Sequence, residues 1–255
     1  MTRLLALALN GYRESRRNRV TTVLFLFAFV MIFSATFALE LTVATFERVL
    51  TDLGLGVMSF IAVFLAIYLG SGLIPREIER RTIFMIVSKP VSRSTFVVGR
   101  LLGNLVTVYF VIALMAALLL LQFALDGTPI RAPMLVAFAG LALEVLVLSS
   151  VCFVFAATSS QYVTAVISVG LYFVGHLSGD LYRMAGRSKS EVVRLVGHGL
   201  YYVLPNLDRL DFKARATYLE PTSAEELALA ALYAVGYSVV MMVLACALFE
   251  RRDFK

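Results

Sequence analysis

The chain has 255 residues, 60% of them hydrophobic and only 16% charged, with a formal net charge of +6. Soluble domains run nearer half apolar and a quarter charged, so this composition excludes an ordinary soluble globule, and the length leaves no room for a large soluble domain beside a membrane bundle. The apolar runs are continuous and do not alternate, which argues against a barrel and predicts an all-α membrane protein.

Residues 1–19 carry Arg3, Arg13, Arg16, Arg17 and Arg19. Leu4, Leu5, Leu7, Ala8 and Tyr12 offer an apolar side, so the segment reads as an amphipathic elbow helix against lipid phosphate. A plain basic tail is the alternative. Thr36-Phe37-Ala38 is a passable cleavage site, but the apolar run before it is longer than a signal-peptide core. The first span is predicted at 20–39 and the second at 57–74, each near the ~20 residues that cross a bilayer. Gly70-Ser71-Gly72 in the second span permits close helix approach, read as packing within the chain before packing across a dimer.

A charged segment follows, from Pro75 through Glu77, Glu79, Arg80, Arg81 and Thr82 to Pro90 and Arg93. Ile74, Ile78, Thr82, Met85 and Ile86 recur at helical spacing and form one apolar stripe. Glu77 stands three and four residues before Arg80 and Arg81, spacing at which they can pair. Pro75 suits a first turn, Pro90 ends the helix, and Ser92 or Ser94 can cap the third span. That span is predicted at 101–125, with a Gly99-x-x-x-Gly103 entry.

The fourth span, 133–157, holds Glu144 at its middle. An intramembrane carboxylate is costly and often functional. Two readings stay open: a translocation-path or proton-relay residue, or a carboxyl that joins helices through Ser149, Ser150 or a neighbouring Thr. Only Ala156–Gln161 separates this span from the fifth, 161–178, so the turn is tight. The loop 179–227 carries seven basic and seven acidic residues, and Val192, Val193, Leu195, Val196, Tyr201 and Tyr202 suggest half-buried helices returning toward the membrane. The sixth span is predicted at 228–249. Cys152 and Cys246 lie in apolar runs and read as small hydrophobes. His176 and His198 have no metal-ligand cluster around them in the sequence and read as surface or hydrogen-bonded histidines. Tyr and Arg must anchor the spans, because the chain has no Trp.

Basic residues set the orientation. There are five in 1–19, six in 75–100 and three after 250, against one each in 40–56 and 126–132. Both termini and the 75–100 segment are therefore expected in the cytoplasm, with 179–227 outside; a loop this long translocates despite its charge. The sequence contains no G-x-x-x-x-G-K-[ST] phosphate loop, so ATP hydrolysis by this chain is not expected, nor is any other enzyme activity.

Glu77-x-x-x-x-Thr82, Lys89-Pro90-Val91-Ser92-Arg93 and Gly99-Arg100-Leu101-Leu102-Gly103 together resemble the hallmark of ABC-2 type transporter permeases. The similarity is strongest to the permease of the nitrous-oxide-reductase maturation transporter and its bacterial relatives. The basic N-terminal elbow, Leu204-Pro205-Asn206-Leu207 and the Phe249–Phe254 exit agree. The resemblance covers nearly the whole chain. It implies six spans of the type V exporter kind, with domains 1–19 (elbow) and 20–255 (transmembrane), in a bacterial inner membrane. It further implies that 76–88 is a coupling helix seated in a separate ABC ATPase. Two permeases and two ATPases would make the transporter, with ATP and Mg held by the ATPases and no cofactor in this chain. Glu77, Glu79, Arg80, Arg81, Thr82 and Pro90 would form or order that contact, and Arg93 would brace the turn. Loop 179–227 would be an extracytoplasmic gate or partner surface. Membrane lipid is an expected partner and nucleic acid is not. The alternatives are a gradient-driven transporter or channel subunit using Glu144, and a non-transporting scaffold.

Overall fold

The computed structural model describes residues 26–27, 29–30, 43–79, 93–188 and 190–251, with the side chains of 43–45, 78 and 79 excepted. Every regular element among them is helical. The α-helices are α1 (Val43–Leu73), α2 (Pro75–Glu79), α3 (Arg93–Leu125), α4 (Ala132–Ala156), α5 (Gln161–His176), α6 (Ser178–Arg187), α7 (Glu191–Val203), α8 (Lys213–Tyr218) and α9 (Ala224–Glu250). A 3₁₀ turn, Asp208–Leu210, precedes α8. The expected elbow at 1–19 and most of the first span at 20–39 lie outside the described residues. The helical residue Phe27 is buried in the same core as the later spans.

Four helices are long and apolar enough to cross a membrane: α1 continued into α2, α3, α4 and α9. The bent pair α5–α6, turned by 58°, makes a fifth if it is taken as one span. The expected spans at 57–74 and 101–125 each correspond to the C-terminal portion of a longer helix. α1 has 31 residues and α3 has 33, or roughly 46–50 Å at 1.5 Å per residue against ~30 Å of hydrocarbon. The N-terminal end of α1 stays helical because its polar groups are satisfied there. Thr51 donates to the Glu47 carbonyl, Arg131 pairs with Glu47 at 3.0 Å, and Thr217 reaches Asp52 at 3.5 Å.

α4 is the hub. α1, α3, α5, α8 and α9 all pack on it, which explains why its sequence is apolar around most of its circumference. Gly70 makes the α1–α4 contact close: a Cβ there would sit 3.2 Å from Cys152 Sγ and 3.4 Å from Asn104 Nδ2. Close packing within the chain, expected of Gly70-Ser71-Gly72, is thus made by Gly70, whereas Gly72 faces Arg76. The α4–α5 turn is also tight, with Ser159 donating to the Phe155 carbonyl at 2.8 Å. α9 begins four residues before the expected span, at a capping box in which Ser223 and Glu226 satisfy each other's backbone N–H.

The segment after α7 turns back into the bundle. Leu207 and Leu210 are fully buried and Phe212 nearly so. Leu207 N–H donates to the Gly175 carbonyl at 3.1 Å, and Asn206 N–H to the Tyr233 hydroxyl at 2.7 Å. Gly140 of α4 leaves the space for this insertion, since a Cβ would lie 2.5 Å from both the Leu210 carbonyl oxygen and Phe212 Cδ2. Gly140→Ala is therefore expected to overpack the contact at a cost of about 1–3 kcal/mol. Limited proteolysis should detect it as faster cleavage in 204–220, with α4 and α9 fragments intact.

Candidate functional site

Two polar constellations interrupt the apolar bundle. The first is where α2 joins the spans. α2 places Glu77 in its first turn, where it forms an ion pair with Arg100 of α3, the side chains only 17% and 10% exposed. Arg76 Nε donates to Gln161 Oε1 of α5 at 2.9 Å, and its guanidinium stacks 5.3 Å from the Tyr68 ring centroid. Arg93, the first residue of α3, donates to the Glu250 carbonyl at the end of α9 at 3.0 Å, beside stacked Phe96 and Phe249. Arg76, Arg93 and Arg100 thus take part in ties that join the segment's two ends to α3, α5 and α9.

Glu77 is mostly buried against α3, so it orders the segment from within. Its pairing with Arg80 or Arg81 lies outside the described residues, as do Arg80, Arg81, Thr82 and Pro90 themselves. The same holds for the helix expected through 88. Glu79 ends α2 and its side chain is not described. Arg93 opens α3, and the structure gives it a hydrogen bond to the end of α9. Sequence reasoning missed Arg76 and Arg100 as partners because pairing across helices leaves no local spacing.

The second constellation surrounds Glu144, 1% exposed at the midpoint of α4. Its neighbours are not those expected. Ser149 receives the Asn104 amide at 3.3 Å and Ser150 donates to the Val147 carbonyl at 2.7 Å. Residues five and six positions on point to other sides of the helix. Glu144 Oε1 instead faces His176 Nε2 at 3.4 Å, without the alignment of a hydrogen bond. His176 Nδ1 lies 3.1 Å from the Tyr172 carbonyl, and its Nε2 is 3.9 Å from Asp211. Lys213, at the start of α8, donates to Ser59 of α1 at 3.0 Å and sits 3.4 Å from Asp211. Burial works to lower the Lys213 pKa, but the charges of Glu144 and Asp211 outweigh it and hold the ammonium above its ordinary value. Lys213 is therefore charged at neutral pH.

His176 belongs to this cluster because α5 is short. Its 16 residues span only about 24 Å, so its C-terminal end stops beside the middle of α4 before the bend into α6. Five elements, α1, α4, α5, α8 and the 205–212 segment, meet at one ionic cluster in which Glu144 is buried and His176, Asp211 and Lys213 are partly exposed. His198 instead stacks on Tyr182 with ring centroids 4.5 Å apart. Among the described residues, no group of His, Cys, Asp and Glu converges to hold a metal ion, and both cysteines are free.

Outside these sites the loop forms α6 and α7, of 10 and 13 residues. Leu181, Met184, Val192, Val193, Leu195 and Val196 leave it widely apolar at the surface. Neither helix is long enough to span a bilayer alone.

The arrangement defines a helical multi-span membrane protein with an ion pair and a hydrogen bond at the two ends of its charged inter-span segment, and with a segment that turns back into the bundle beside a buried carboxylate. Comparison with protein families is specific: residues 5–254 match the ABC-2 family transporter proteins, and the chain belongs to that family. A comparison with curated proteins returned no significant match.

Proposed function

We propose that the chain is the permease subunit of an ABC transporter. In this reading two copies assemble in a bacterial inner membrane with two cytoplasmic ATPases, which bind ATP and Mg. Both termini and the 75–100 segment face the cytoplasm, and residues 76–88 form the coupling helix. The observation that carries this is the pair of ties at the segment's ends: Glu77–Arg100 into α3 and Arg93–Glu250 into α9. Force applied between them by a closing ATPase would reach α1 by covalent continuity, and α3 and α9 through the ties. Glu79, Arg80, Arg81, Thr82 and Pro90 then lie on the loaded stretch. The groove between α1 and α5, about 460 Å³ and lined by Phe60, Phe64, Tyr162 and Phe173 among others, suits the second permease. The plug held at Glu144 is the outer barrier that such movement would release.

The test is co-purification with a candidate ABC ATPase from the same cell. R81E is expected to weaken association at least tenfold, or about 1.4 kcal/mol, and to abolish stimulated hydrolysis while leaving the permease's thermal stability unchanged. Intact association and stimulation would reject the coupling role. The buried carboxylate also fits a gradient-driven transporter. Transport that persists without the ATPase would select that reading.

A further inference from the structure

The α6–α7 hairpin exposes apolar surface that the bundle does not use. Both of its feet stand at the end of α5: α6 begins two residues after His176, and beyond α7 the Leu207 N–H donates to the Gly175 carbonyl. A Cβ at Gly197 would collide with Ala185, so the two helices close on each other. Tyr182 stacks on His198 and meets Tyr201, whose hydroxyl accepts from Arg209. The hairpin is thereby fixed, yet no residue of α7 is buried. A groove of about 630 Å³ runs between the helices, lined mostly by apolar side chains that include Leu181, Met184, Val193 and Val196. Leu181 and Met184 also line an adjoining hollow of about 520 Å³, which holds Asp180, Arg183 and Arg187.

Depth and charge decide what fills this groove. Gln161 at the start of α5 is bonded to Arg76 of α2, and His176 at its end faces Glu144, the midpoint of α4. α5 therefore stops near the middle of the bilayer that α4 crosses. With α5 along the membrane normal, the 10 residues of α6, bent by 58°, climb about 8 Å further. Headgroups begin ~15 Å from the midplane, and the long side chain of Arg187 in the last turn covers the remainder. The groove below it lies at hydrocarbon depth, in the leaflet away from α2. Its rim is basic. Asp180 pairs with Arg183 at 2.5 Å and Glu191 with Arg194 at 3.8 Å, whereas Arg187 has no ion-pair partner among the described residues. An apolar groove at acyl depth beneath an unanswered cation at headgroup level complements an amphiphile with a negative head.

We infer that the α6–α7 hairpin is a membrane-embedded binding site for an anionic phospholipid. One acyl chain lies in the groove against Met184, Val193 and Val196. The phosphate sits at Arg187 with Arg183 beside it, because a guanidinium donates two parallel hydrogen bonds to phosphate oxygens. Asp180 already answers Arg183, so Arg187 supplies most of the preference for a head of net negative charge. Residues 178–203 thereby face lipid, and a soluble partner has no access to this groove. The site requires only that the chain spans a membrane. It depends neither on the ATPase nor on which leaflet meets the cytoplasm.

Two photoactivatable lipids test it on the full-length protein in phosphatidylcholine nanodiscs, where both faces meet water. Phosphatidylglycerol and phosphatidylcholine carry the same diazirine on one acyl chain and are added at the same low fraction. Cross-linked peptides are read by mass spectrometry. Peptides of α9 that expose Leu232, Val239 and Val243 report ordinary lipid contact and serve as the internal reference. Relative to them, groove peptides are expected to take the phosphatidylglycerol probe about tenfold more than the phosphatidylcholine probe, through two basic residues at the membrane surface. R183Q combined with R187Q alters two exposed side chains and should bring that preference to about one, with the α9 adducts unchanged. V196C, with the wild-type chain as the blank for the native cysteines, should resist an impermeant maleimide in the nanodisc and react once the protein is denatured. Equal capture of the two probes in the groove, or a preference that survives the double variant, overturns the site. Rapid labelling of V196C in the nanodisc overturns it as well and makes the groove a water-facing surface for a soluble protein.

Discussion

Lys213→Ala is expected to destabilise the protein by about 3 kcal/mol, the low end of the cost of removing one partner from a buried ion pair, because Lys213 and Asp211 are each more than one-fifth exposed. For a chain of this size that lowers the unfolding midpoint by roughly 10 °C. Lys213 is the only cation of fixed charge that contacts the cluster around Glu144, Asp211 and His176 among the described residues. Its removal leaves two carboxylates facing each other across α4 and the re-entrant segment and deprives Ser59 of its donor. Thermal unfolding of the purified protein in detergent, followed by intrinsic tyrosine fluorescence, measures the shift. K213M combined with E144Q should regain part of the loss, because the buried Glu144 charge is then gone and only Asp211, whose side chain is 27% exposed, loses its partner. The sign of the pH dependence is fixed as well. The folded-state pKa of Lys213 lies above its ordinary value, so its contribution is fully present below the ordinary lysine pKa. It is lost only as alkaline pH rises through the raised value. A midpoint shift no larger than that of an exposed substitution, or a failure of the double variant to recover, would remove the cluster as the lock on the plug.

How legible this site was in the sequence differs residue by residue. Glu144 announced itself, since a lone carboxylate within 25 apolar residues has few structural explanations. Its partners did not. His176 looked like the outer end of a span, and only the shortness of α5 brings it to the depth of Glu144. Lys213 and Asp211 looked like loop charge, because no periodicity marks a segment that re-enters a bundle. One trace existed: Leu207, Leu210 and Phe212 are apolar positions within a charged stretch, and Gly140 is a gap in an otherwise bulky helix. The four long helices were plain from hydropathy. Their N-terminal extensions were not, because Glu47 and Asp52 read as loop until Arg131 and Thr217 satisfy them.

The charge-swap pair at the coupling end is the other large effect expected. Glu77→Arg places two guanidiniums together in a contact where both native side chains are less than one-fifth exposed. Arg100→Glu does the same with two carboxylates. Each single variant is expected to lose about 3–5 kcal/mol and to abolish permease-stimulated ATP hydrolysis in the assembled complex. The double variant, E77R with R100E, restores opposite charge across the same gap and should recover most of the stability and at least half the stimulation. The recovery is expected to be incomplete. Arg100 also lies 5.6 Å over the Phe96 ring, a contact worth about 0.5–1 kcal/mol or more that glutamate does not replace. The comparison with R81E separates two roles within one short segment. R81E should cost ATPase association without stability, whereas Glu77 variants should cost stability and stimulation while association falls less. If the double swap is no better than either single variant, the Glu77–Arg100 tie does not transmit the motion. Force from the ATPase would then have to enter through Arg93 and the end of α9.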